Sequence, residues 1–288
     1  MTEDFRMKIA FQGLPGAYSN MACFAAYPDM IPLPCPTFED TFSAVTERRA
    51  ALAMIPIENS IAGRVADIHH LLPQSGLHIV AEHFQGVNHH LLGQQGTTIE
   101  RITEVHSHIH ALAQCRTVIR ELGLEARVAA DTAGAAAEVA TCQDPGRAAI
   151  ASLLAAKIYD LVVLRERIED SSHNTTRFVV MAEDPVDPDP NAGPVITTFV
   201  FKVRNIPAAL YKALGGFATN GINMLKLESY LLDASFTSAQ FYADVEGHPD
   251  DTALRLALEE LGFFSRTVTI LGVYAADTYR SRPMHNST

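Results

Sequence analysis

The sequence predicts an α/β protein built from two domains. A chain of 288 residues is long enough to form two hydrophobic cores. Up to residue 182, short apolar runs alternate with segments of helical periodicity, which indicates a mostly parallel sheet flanked by helices. The later part follows the order strand, helix, strand, strand, helix, strand, which is typical of a ferredoxin-like βαββαβ unit.

The elements of the first domain, residues 7–182, follow from apolar periodicity and from helix start and stop signals. Runs rich in β-branched and other apolar residues predict strands. Segments with apolar residues three or four apart, bounded by capping residues, glycine or proline, predict helices. The predicted strands are residues 8–12, 51–57, 77–82, 87–92, 128–130, 148–151 and 178–181. The predicted helices are residues 20–25, 37–48, 65–72, 109–122, 132–141 and 153–159.

A linker, residues 183–195, separates the two domains. Its first twelve positions hold four prolines and four acidic residues, so this stretch cannot bury a core. The second domain, residues 196–275, contains the βαββαβ pattern, and the polar tail after it is expected to be loose. Its predicted strands are residues 196–203, 222–232, 236–245 and 263–274, with a turn at 233–235. Its predicted helices are residues 207–219 and 250–261.

Composition and charge exclude several classes of function. The formal net charge is −11, and no basic cluster is present, which argues against a nucleic-acid partner. No apolar run is long enough to span a membrane, and the N-terminus does not have the pattern of a signal peptide. The four cysteines are scattered without a CxxC pair, which fits free thiols in a reducing compartment. A cytoplasmic protein is therefore expected.

Polar residues follow or precede the predicted strands at several places, where open α/β sheets bind their ligands. Ser171 to Arg177 is a hydroxyl-rich turn before a strand, although a turn capped by hydroxyls with a surface arginine would look the same. Glu58, Asn59 and Ser60 directly follow another strand.

Three further stretches could likewise either bind a ligand or have a purely structural role. The glycine turn from Gly13 to Ser19 could cradle an anion with backbone N–H groups, with Ser19 capping the next helix. Ser107 and Gln114 would share one face of a helix, with Ser107 at its N-terminal end, although a capping serine is the simpler alternative. Asp131 and Thr132 could simply begin a helix.

The histidines suggest a metal site, but the pattern does not favour one. Nine of the twelve fall between His69 and His110, and His106, His108 and His110 form an HxHxH run. That run spans an expected change from strand to helix, so the three side chains need not converge, and no cysteine or carboxylate accompanies them at ligand spacing. Surface and turn histidines are the preferred interpretation. A serine-nucleophile scheme has no GxSxG elbow to support it.

Taken together, these motifs resemble those of a known family. The glycine turn Gly13–Ser19, the Ile-Pro-Ile-Glu-Asn-Ser stretch ending at Ser60, Ser107 with Gln114-Cys115, Asp131-Thr132, and Thr176-Arg177-Phe178 occur in the order typical of prephenate dehydratases with a C-terminal ACT domain. The resemblance covers residues 8–275. It implies a two-lobed catalytic domain similar to type II periplasmic binding proteins, with a site in the cleft.

The resemblance also implies roles for individual residues. The expected catalytic residues are Thr176, Glu58, Asn59, Ser107 and Gln114. The expected substrate-binding residues are Ser19, Ser60, Asp131, Thr132, Arg177 and Phe178. Asp131 stands where the family often has glutamate. No metal and no cofactor are expected, because aromatisation of the substrate drives the reaction.

The C-terminal domain resembles the ACT domains of the same family, which bind L-phenylalanine as an allosteric inhibitor and pair side by side. A homodimer or homotetramer is therefore expected. The family motifs Gly-Ala-Leu-Val and Glu-Ser-Arg-Pro are half changed here, to Pro-Ala-Ala-Leu at 207–210 and Glu-Ser-Tyr-Leu at 228–231. The expected effector-binding residues are Pro207, Ala208, Ala209, Leu210, Asn223, Leu225, Glu228 and Ser229.

The activity that the resemblance implies is the conversion of prephenate into phenylpyruvate, with loss of water and CO₂. Thr176 would donate a hydrogen bond to the departing hydroxide, and neutral donors would hold the substrate carboxylates. Arg177 could bind a carboxylate or brace the loop, and both roles stay open. Two alternatives also remain: arogenate as the substrate, and a non-catalytic amino-acid sensor.

Overall fold

The computed structural model describes residues 4–65, 68–142, 144–204, 206–231 and 239–281. The strands are β1 (Lys8–Gln12), β2 (Ile31–Cys35), β3 (Leu52–Asn59), β4 (Gly63–Arg64), β5 (His78–Gly86), β6 (His90–Gly93), β7 (Glu104–Ser107), β8 (Glu125–Val128), β9 (Arg147–Ala151), β10 (Val162–Arg165), β11 (Thr175–Ala182), β12 (Val195–Val203), β13 (Met224–Leu231), β14 (Ala239–Glu246) and β15 (Ser265–Ala275). The helices are α1 (Tyr18–Ala26), α2 (Phe38–Thr46), α3 (Ile68–Leu71), α4 (Ile109–Gln114), α5 (Arg116–Glu121), α6 (Thr132–Thr141), α7 (Leu153–Ile158), α8 (Ala209–Thr219) and α9 (Thr252–Phe264).

The chain divides into two compact units. The first comprises Met1–Val65 and His83–Phe178, and the second comprises Ala66–Glu82 and Val179–Thr288. The sequence predicted one division across the linker, whereas residues 66–82 group with the C-terminal part. No regular element lies between Ala182 and Val195, as the proline-rich composition predicted.

The first unit contains two sheets. In one, the strand order is β11-β3-β1-β2, and β1 is parallel to both β2 and β3. Ile9, Ala10 and Phe11 are buried as a continuous run, which is typical of a parallel strand covered on both faces. The sequence analysis missed β2, because Pro32 and Pro34 weaken a strand pattern. Proline is tolerated there because β2 is at the end of the sheet.

The second sheet of this unit has the order β10-β6-β9-β7-β8. Strand β7 is parallel to β8 and β9, and β6 is antiparallel to β9 and β10. Leu91 and Ile150 pack on one face with residues of α4 and α5, while Leu92 and Ala149 pack on the other with residues of α6 and α7. This two-sided burial fixes the positions of the strand ends that carry the polar residues described below.

The ferredoxin-like pattern predicted for the C-terminal part is confirmed. Its four strands have the order β13-β14-β12-β15 with antiparallel pairing, and α8 and α9 connect them in the sequence βαββαβ. One face of the sheet packs on the two helices through Phe199, Phe217 and Leu254. On β12, the neighbouring Thr198 is also fully buried and donates to the Asp244 carboxylate (2.6 Å).

Within the second unit, residues that precede the ferredoxin-like part in sequence contact its last strand and the residues that follow it. Strand β15 pairs in parallel with β5 at Gly272 and Ile79. The fully buried Glu82 side chain accepts two hydrogen bonds from the Arg280 guanidinium, at 2.5 and 2.8 Å. The expectation of a loose tail is therefore wrong for residues 276–281, and residues 282–288 lie outside the described part of the chain.

Several predicted boundaries are corrected. The predicted helix 109–122 is two helices that meet at Cys115, because the Asp170 carboxylate caps the N–H groups of Arg116 and Thr117 and starts a new helix. Strands predicted at 77–82, 87–92 and 128–130 are the elements β5, β6 and β8, with shifted ends. The helix predicted at 65–72 is only α3, and its residues 66–67 are not described.

Two helices of the C-terminal part also begin or end at residues other than those predicted. The helix predicted from residue 207 starts at Ala209, because Ala208 has a left-handed conformation (φ 61°). Helix α9 passes through Gly262 to Phe264, since that glycine has no positive φ, and the last strand starts at Ser265. The turn predicted at 233–235, with residues 232 and 236–238 of its flanking strands, lies outside the described residues.

No helix in the described ranges is both long and apolar enough to cross a membrane.

The close approach of β15 to β5 predicts the effect of one glycine substitution. A Cβ atom at Gly272 would lie 2.2 Å from the Ile79 carbonyl oxygen, a backbone atom that cannot move independently. We expect Gly272→Ala to lower the free energy of unfolding by about 2 kcal/mol or more. Gly215→Ala is the matched control, because its Cβ meets open space within α8, and it should stabilise by up to about 1 kcal/mol. Urea denaturation measures both, and equal effects of the two changes would contradict the packing described here.

Candidate active site

Polar side chains from two neighbouring strands of the first unit meet where β3 ends and β11 begins. The Asn59 Nδ2 atom lies 2.7 Å from Asn174 Oδ1 and 2.9 Å from Thr176 Oγ1. The strands β3 and β11 are neighbours in the sheet, and both are apolar and buried just beyond these residues. The sheet therefore brings Asn59 and Thr176 together, although 117 positions separate them in sequence.

The orientation of the Asn59 carboxamide is fixed by the backbone. Its Oδ1 atom accepts hydrogen bonds from the N–H groups of Ile61 (3.0 Å) and Ala62 (2.8 Å). Backbone N–H groups can only donate, so the oxygen must face them and the amide nitrogen must face Asn174 and Thr176. Both Nδ2 hydrogens are then used.

The orientation of Asn59 fixes the orientations of two further carboxamides, Asn174 and Gln114. Since Asn174 Oδ1 accepts from Asn59, its Nδ2 atom faces the other way and donates to Gln114 Oε1 at 2.7 Å. Gln114 Oε1 also lies 2.9 Å from His89 Nε2. Asn174 and His89 are buried, with 4% and 2% of their surfaces exposed, so this chain of bonds is shielded from water.

Two hydrogen-bond donors remain at the ends of this chain. Thr176 Oγ1 accepts from Asn59, so its own O–H hydrogen points elsewhere. The Oε1 atom of Gln114 is occupied by its partners, so its NH₂ group is turned away from them. Among the described residues, neither Thr176 O–H nor Gln114 NH₂ has an acceptor at hydrogen-bond distance. Both side chains are half-buried and can donate to a bound molecule.

Arg177 points into the protein and not toward a ligand. Its side chain is 3% exposed, and its Nη1 atom lies 3.2 Å from Glu58 Oε1. Phe178, the next residue, is buried in the core. Of the two roles left open by the sequence, this geometry favours the brace. It also ties Glu58 to the strand that carries Thr176.

Ser107 does not lie where the sequence predicted. It is the last residue of β7, fully buried, and its hydroxyl donates to the Ile150 carbonyl (2.6 Å). The N-cap of α4 is His108, and only Gln114 belongs to the helix. The prediction that Ser107 and Gln114 share a helix face is therefore wrong, because β7 extends two residues beyond Val105, where its short apolar run ends.

The glycine turn forms hydrogen bonds with residues next to α7, and three of its backbone N–H groups already have acceptors. The N–H groups of Gly13, Gly16 and Ala17 donate to acceptors within the protein. The carbonyls of Pro15 and Gly16 accept from the hydroxyls of Tyr159 and Ser152, the two residues that flank α7. A Cβ atom at Gly16 would lie 2.8 Å from the Ala155 Cα atom, so only glycine fits.

The prediction that this turn binds an anion through its backbone N–H groups is therefore wrong for Gly13, Gly16 and Ala17, because their N–H groups already donate within the protein. Ser19 lies in the first turn of α1 and does not cap it, since the N-cap is Ala17 without a side-chain bond.

The remaining predicted substrate-binding residues have structural contacts. Asp131 is the N-cap of α6 and accepts from Gly134 N–H at 2.7 Å, and Thr132 is the first residue of that helix. Ser60 bonds to the backbone of His173 and Thr175, which braces the turn before β11.

The predicted effector residues do not all face one way. The Glu228 carboxylate lies 2.6 Å from Lys226 Nζ and 3.0 Å from His69 Nε2, on one face of β13. Side chains alternate along a regular strand, so Ser229 faces the opposite side, while Leu225 lies at a break in the pairing of β13 with β14. Asn223 is exposed just before the strand. Ala208, the N-cap of α8, has a left-handed φ of 61°, a conformation that favours glycine. Ala209 and Leu210 follow as the first residues of α8.

The histidine run has local partners. His106 Nε2 lies 3.0 Å from the Glu104 carboxylate, and His108 Nδ1 accepts from His110 N–H. Within the described ranges, no three His, Cys, Asp or Glu side chains are grouped so as to hold a metal ion.

Sequence analysis missed three members of this site: Asn174, His89 and Tyr18. Asn174 directly precedes the Thr-Arg-Phe strand, so a polar residue at the strand mouth was a usable signal. His89 follows β5 and precedes β6, and the many nearby histidines hid it. The Tyr18 hydroxyl lies 2.9 Å from His89 Nδ1, a contact between distant residues that no local pattern indicates.

Comparison with known proteins identifies the family. Residues 9–186 match the family profile of prephenate dehydratase. The chain belongs to the prephenate dehydratase family. It is 52% identical over 275 residues (96% of this chain, 98% of the relative) to a bifunctional N-acyl-homoserine lactone acylase/prephenate dehydratase of Komagataeibacter europaeus. It is 38% identical over 291 residues (96% of this chain, 74% of the relative) to arogenate dehydratase 2 of Petunia hybrida.

A solved structure is also similar over most of the chain. The prephenate dehydratase of Arthrobacter aurescens, in complex with L-Phe, has a TM-score of 0.84 at 28% identity, covering 93% of this chain and 89% of that one. Family membership confirms the predictions of an α/β fold and of a dehydratase enzyme.

The buried Arg177 predicts a stability effect within this site. Glu58→Gln removes the charge that faces a guanidinium with 3% exposure, while Glu58 itself is about one third exposed (34%). We expect a loss of about 2 kcal/mol in the free energy of unfolding, less than for a fully buried pair. Glu47→Gln, which breaks the exposed pair with Arg49, should cost less than about 0.5 kcal/mol. A urea titration in which both variants unfold at the same midpoint would contradict the bracing role.

Proposed function

We propose that this chain converts prephenate into phenylpyruvate, with loss of CO₂ and water, as a step in phenylalanine biosynthesis. The observation that carries this proposal is the half-buried pair of donors without an acceptor among the described residues, Thr176 O–H and Gln114 NH₂, held by a fixed chain of carboxamides. Prephenate is a dianion that presents acceptors and must release hydroxide, so a site of this kind matches it. Residues 7–182 would form the catalytic domain, 183–195 the linker and 196–275 a regulatory domain.

The reaction needs positioning and one hydrogen-bond donor more than it needs a strong acid. The bond between the ring and its carboxylate breaks, and its electron pair enters the ring as CO₂ leaves. The ring C–O bond breaks at the other end, and the hydroxide takes up one proton to become water. The ring becomes aromatic, which supplies the driving force without a cofactor.

In this mechanism, Thr176 would act on the departing hydroxyl. Its O–H hydrogen is directed away from Asn59, because Asn59 already donates to its oxygen. An aliphatic hydroxyl is a poor acid, so Thr176 would donate a hydrogen bond or relay a proton that solvent supplies. Gln114 would hold a substrate carboxylate or the keto oxygen with a neutral donor. Such a donor does not over-stabilise the ring carboxylate that must leave.

Three other activities are separated by one set of assays. Arogenate carries an amino group in place of the keto oxygen, and a relative from Petunia hybrida is named for it. The 52% identity to a bifunctional relative favours N-acyl-homoserine lactone hydrolysis as a second candidate. A non-catalytic sensor would bind without turnover. Purified protein is incubated with each compound, and phenylpyruvate, phenylalanine and homoserine lactone are measured. Phenylpyruvate from prephenate supports the proposal, and its absence contradicts it.

Removal of the Thr176 hydroxyl tests the mechanism. Thr176→Ala should lower kcat by about 10²-fold or more with a smaller change in KM, since one positioned donor is lost at the leaving group. Thr176→Ser should keep more activity because it keeps the hydroxyl. Steady-state kinetics with prephenate measure both variants, and equal kcat values for the wild type and the alanine variant would remove Thr176 from the mechanism.

We further propose that the ferredoxin-like part is an ACT domain through which L-phenylalanine inhibits the enzyme. The ferredoxin-like topology and the L-Phe complex of the Arthrobacter relative support this. Strand β13 ends the sheet and exposes Leu227 and Leu231, and such an edge needs covering. Pairing of β13 with a second copy would give a homodimer or a homotetramer. Asn223, Leu225 and Ser229 remain candidates for the effector, whereas Glu228 is engaged by Lys226 and His69.

Feedback is tested by titration at fixed prephenate. L-phenylalanine should inhibit the full-length protein, and D-phenylalanine, which has the same composition and ring, should inhibit much less. The expected reason is that a site that fixes carboxylate, ammonium and ring together distinguishes the enantiomers. Absence of both inhibition and binding at millimolar L-phenylalanine would show that the altered motifs have abolished feedback.

A further inference from the structure

His89 lies behind the Gln114 carboxamide, on the side away from the open donor. Only 2% of its surface is exposed, and its backbone N–H donates to the Glu169 carboxylate at 2.9 Å. Its Nε2 atom faces Gln114 Oε1, and its Nδ1 atom faces the Tyr18 hydroxyl, each at 2.9 Å. The Tyr18 hydroxyl also donates to the Asn88 carbonyl at 2.6 Å. None of these contacts reaches the Thr176 hydroxyl directly.

The direction of the carboxamide chain decides which nitrogen of His89 carries hydrogen. The Ile61 and Ala62 N–H groups orient Asn59, Asn59 orients Asn174, and Asn174 Nδ2 donates to Gln114 Oε1. The atom of Gln114 that faces His89 is therefore an acceptor. An acceptor at 2.9 Å from Nε2 requires a hydrogen on Nε2.

The surroundings keep His89 in one form. Burial lowers the pKa of His89, opposed by the hydrogen bond to Gln114 and by the Glu169 carboxylate, so the ring is neutral near neutral pH. Its hydrogen is then on Nε2, and Nδ1 is an acceptor that shares the single hydrogen of the Tyr18 hydroxyl with the Asn88 carbonyl oxygen. Burial raises the pKa of Tyr18 well above its ordinary value, with smaller contributions from Cys115 and Glu169, so the phenol keeps its hydrogen. Tyr18 thus holds the ring from behind.

We propose that His89, held by Tyr18, is a positioning residue that locks the Gln114 carboxamide with its NH₂ group toward the substrate. Two donors on Gln114 Oε1, from Asn174 and His89, fix both the plane and the direction of the amide. The Gln114 backbone is also held, since its carbonyl accepts from Asp170 N–H at 2.6 Å. This role rests on the proposed dehydratase function and adds the reason why Gln114 donates there.

A double-mutant cycle with prephenate tests whether His89 acts through Gln114. His89→Leu should lower kcat/KM about tenfold, the effect expected for one positioning hydrogen bond. In the Gln114→Ala background, the same change should cost less than about twofold, because the group that His89 holds is already gone. His89→Gln can place an amide nitrogen where Nε2 lies, and it should recover most of the activity. If the reductions in kcat/KM caused by His89→Leu and by Gln114→Ala multiply in the double variant, His89 does not act through Gln114. That result would overturn the proposal.

Matched variants separate positioning from folding. His90 is similarly buried and its pKa is likewise lowered by burial, but it does not contact Gln114, so His90→Leu should change kcat/KM little and equally in both backgrounds. If His89→Leu does not fold, Tyr18→Phe removes a single hydroxyl behind the ring and should lower kcat/KM several-fold. Wild-type rates for every folded His89 and Tyr18 variant would overturn the proposal. A wild-type protein without prephenate turnover would overturn the proposed function, and with it this role.

Discussion

The Asn59 carboxamide oxygen accepts two backbone hydrogen bonds, from Ile61 and Ala62, and the polar network of the first unit takes its direction from them. A carboxamide has a donor end and an acceptor end, so fixing one end of the first amide fixes each amide that follows. Asn174 and Gln114 take their orientations in turn. The turn after β3 therefore determines that the Gln114 oxygen faces Asn174 and His89 and that its NH₂ group faces away from them.

Under the proposed function, this constraint explains how an acidic chain can bind a dianion. The net charge of −11 opposes anion binding, and Arg177, the cation nearest to the threonine in sequence, is paired with Glu58. Neutral donors remain, and they are effective only when they are oriented in advance. In a partly buried network every misdirected polar group is costly, so the bonds that orient the donors also stabilise the fold around them. Under the proposed function, stability and activity depend on the same carboxamides.

The sequence predicted the parts of this arrangement that depend on strand ends. Asn59 and Thr176 follow and precede apolar runs that could only be buried strands, and neighbouring strands bring them together. Asp131 and the βαββαβ order were readable for the same reason, because caps and periodicity are local signals. His89, Asn174 and Tyr18 were missed because their roles arise from contacts across distant segments. Ser107 was misplaced because one residue at a strand end decides between a buried hydroxyl and a helix cap. The left-handed conformation of Ala208 was not predicted, because alanine gives no local signal for a positive φ.

The central claim, a carboxamide chain with one fixed direction, is tested most directly by the tautomer of His89. Solution NMR of protein labelled with ¹⁵N-histidine reports which ring nitrogen carries hydrogen, and the His89→Gln variant identifies the signal by its absence. Near neutral pH, a neutral ring with hydrogen on Nε2 and a bare Nδ1 is the predicted result. Hydrogen on Nδ1 with a bare Nε2 would mean that Gln114 donates to His89 and that its acceptor faces the substrate. That result would contradict the account.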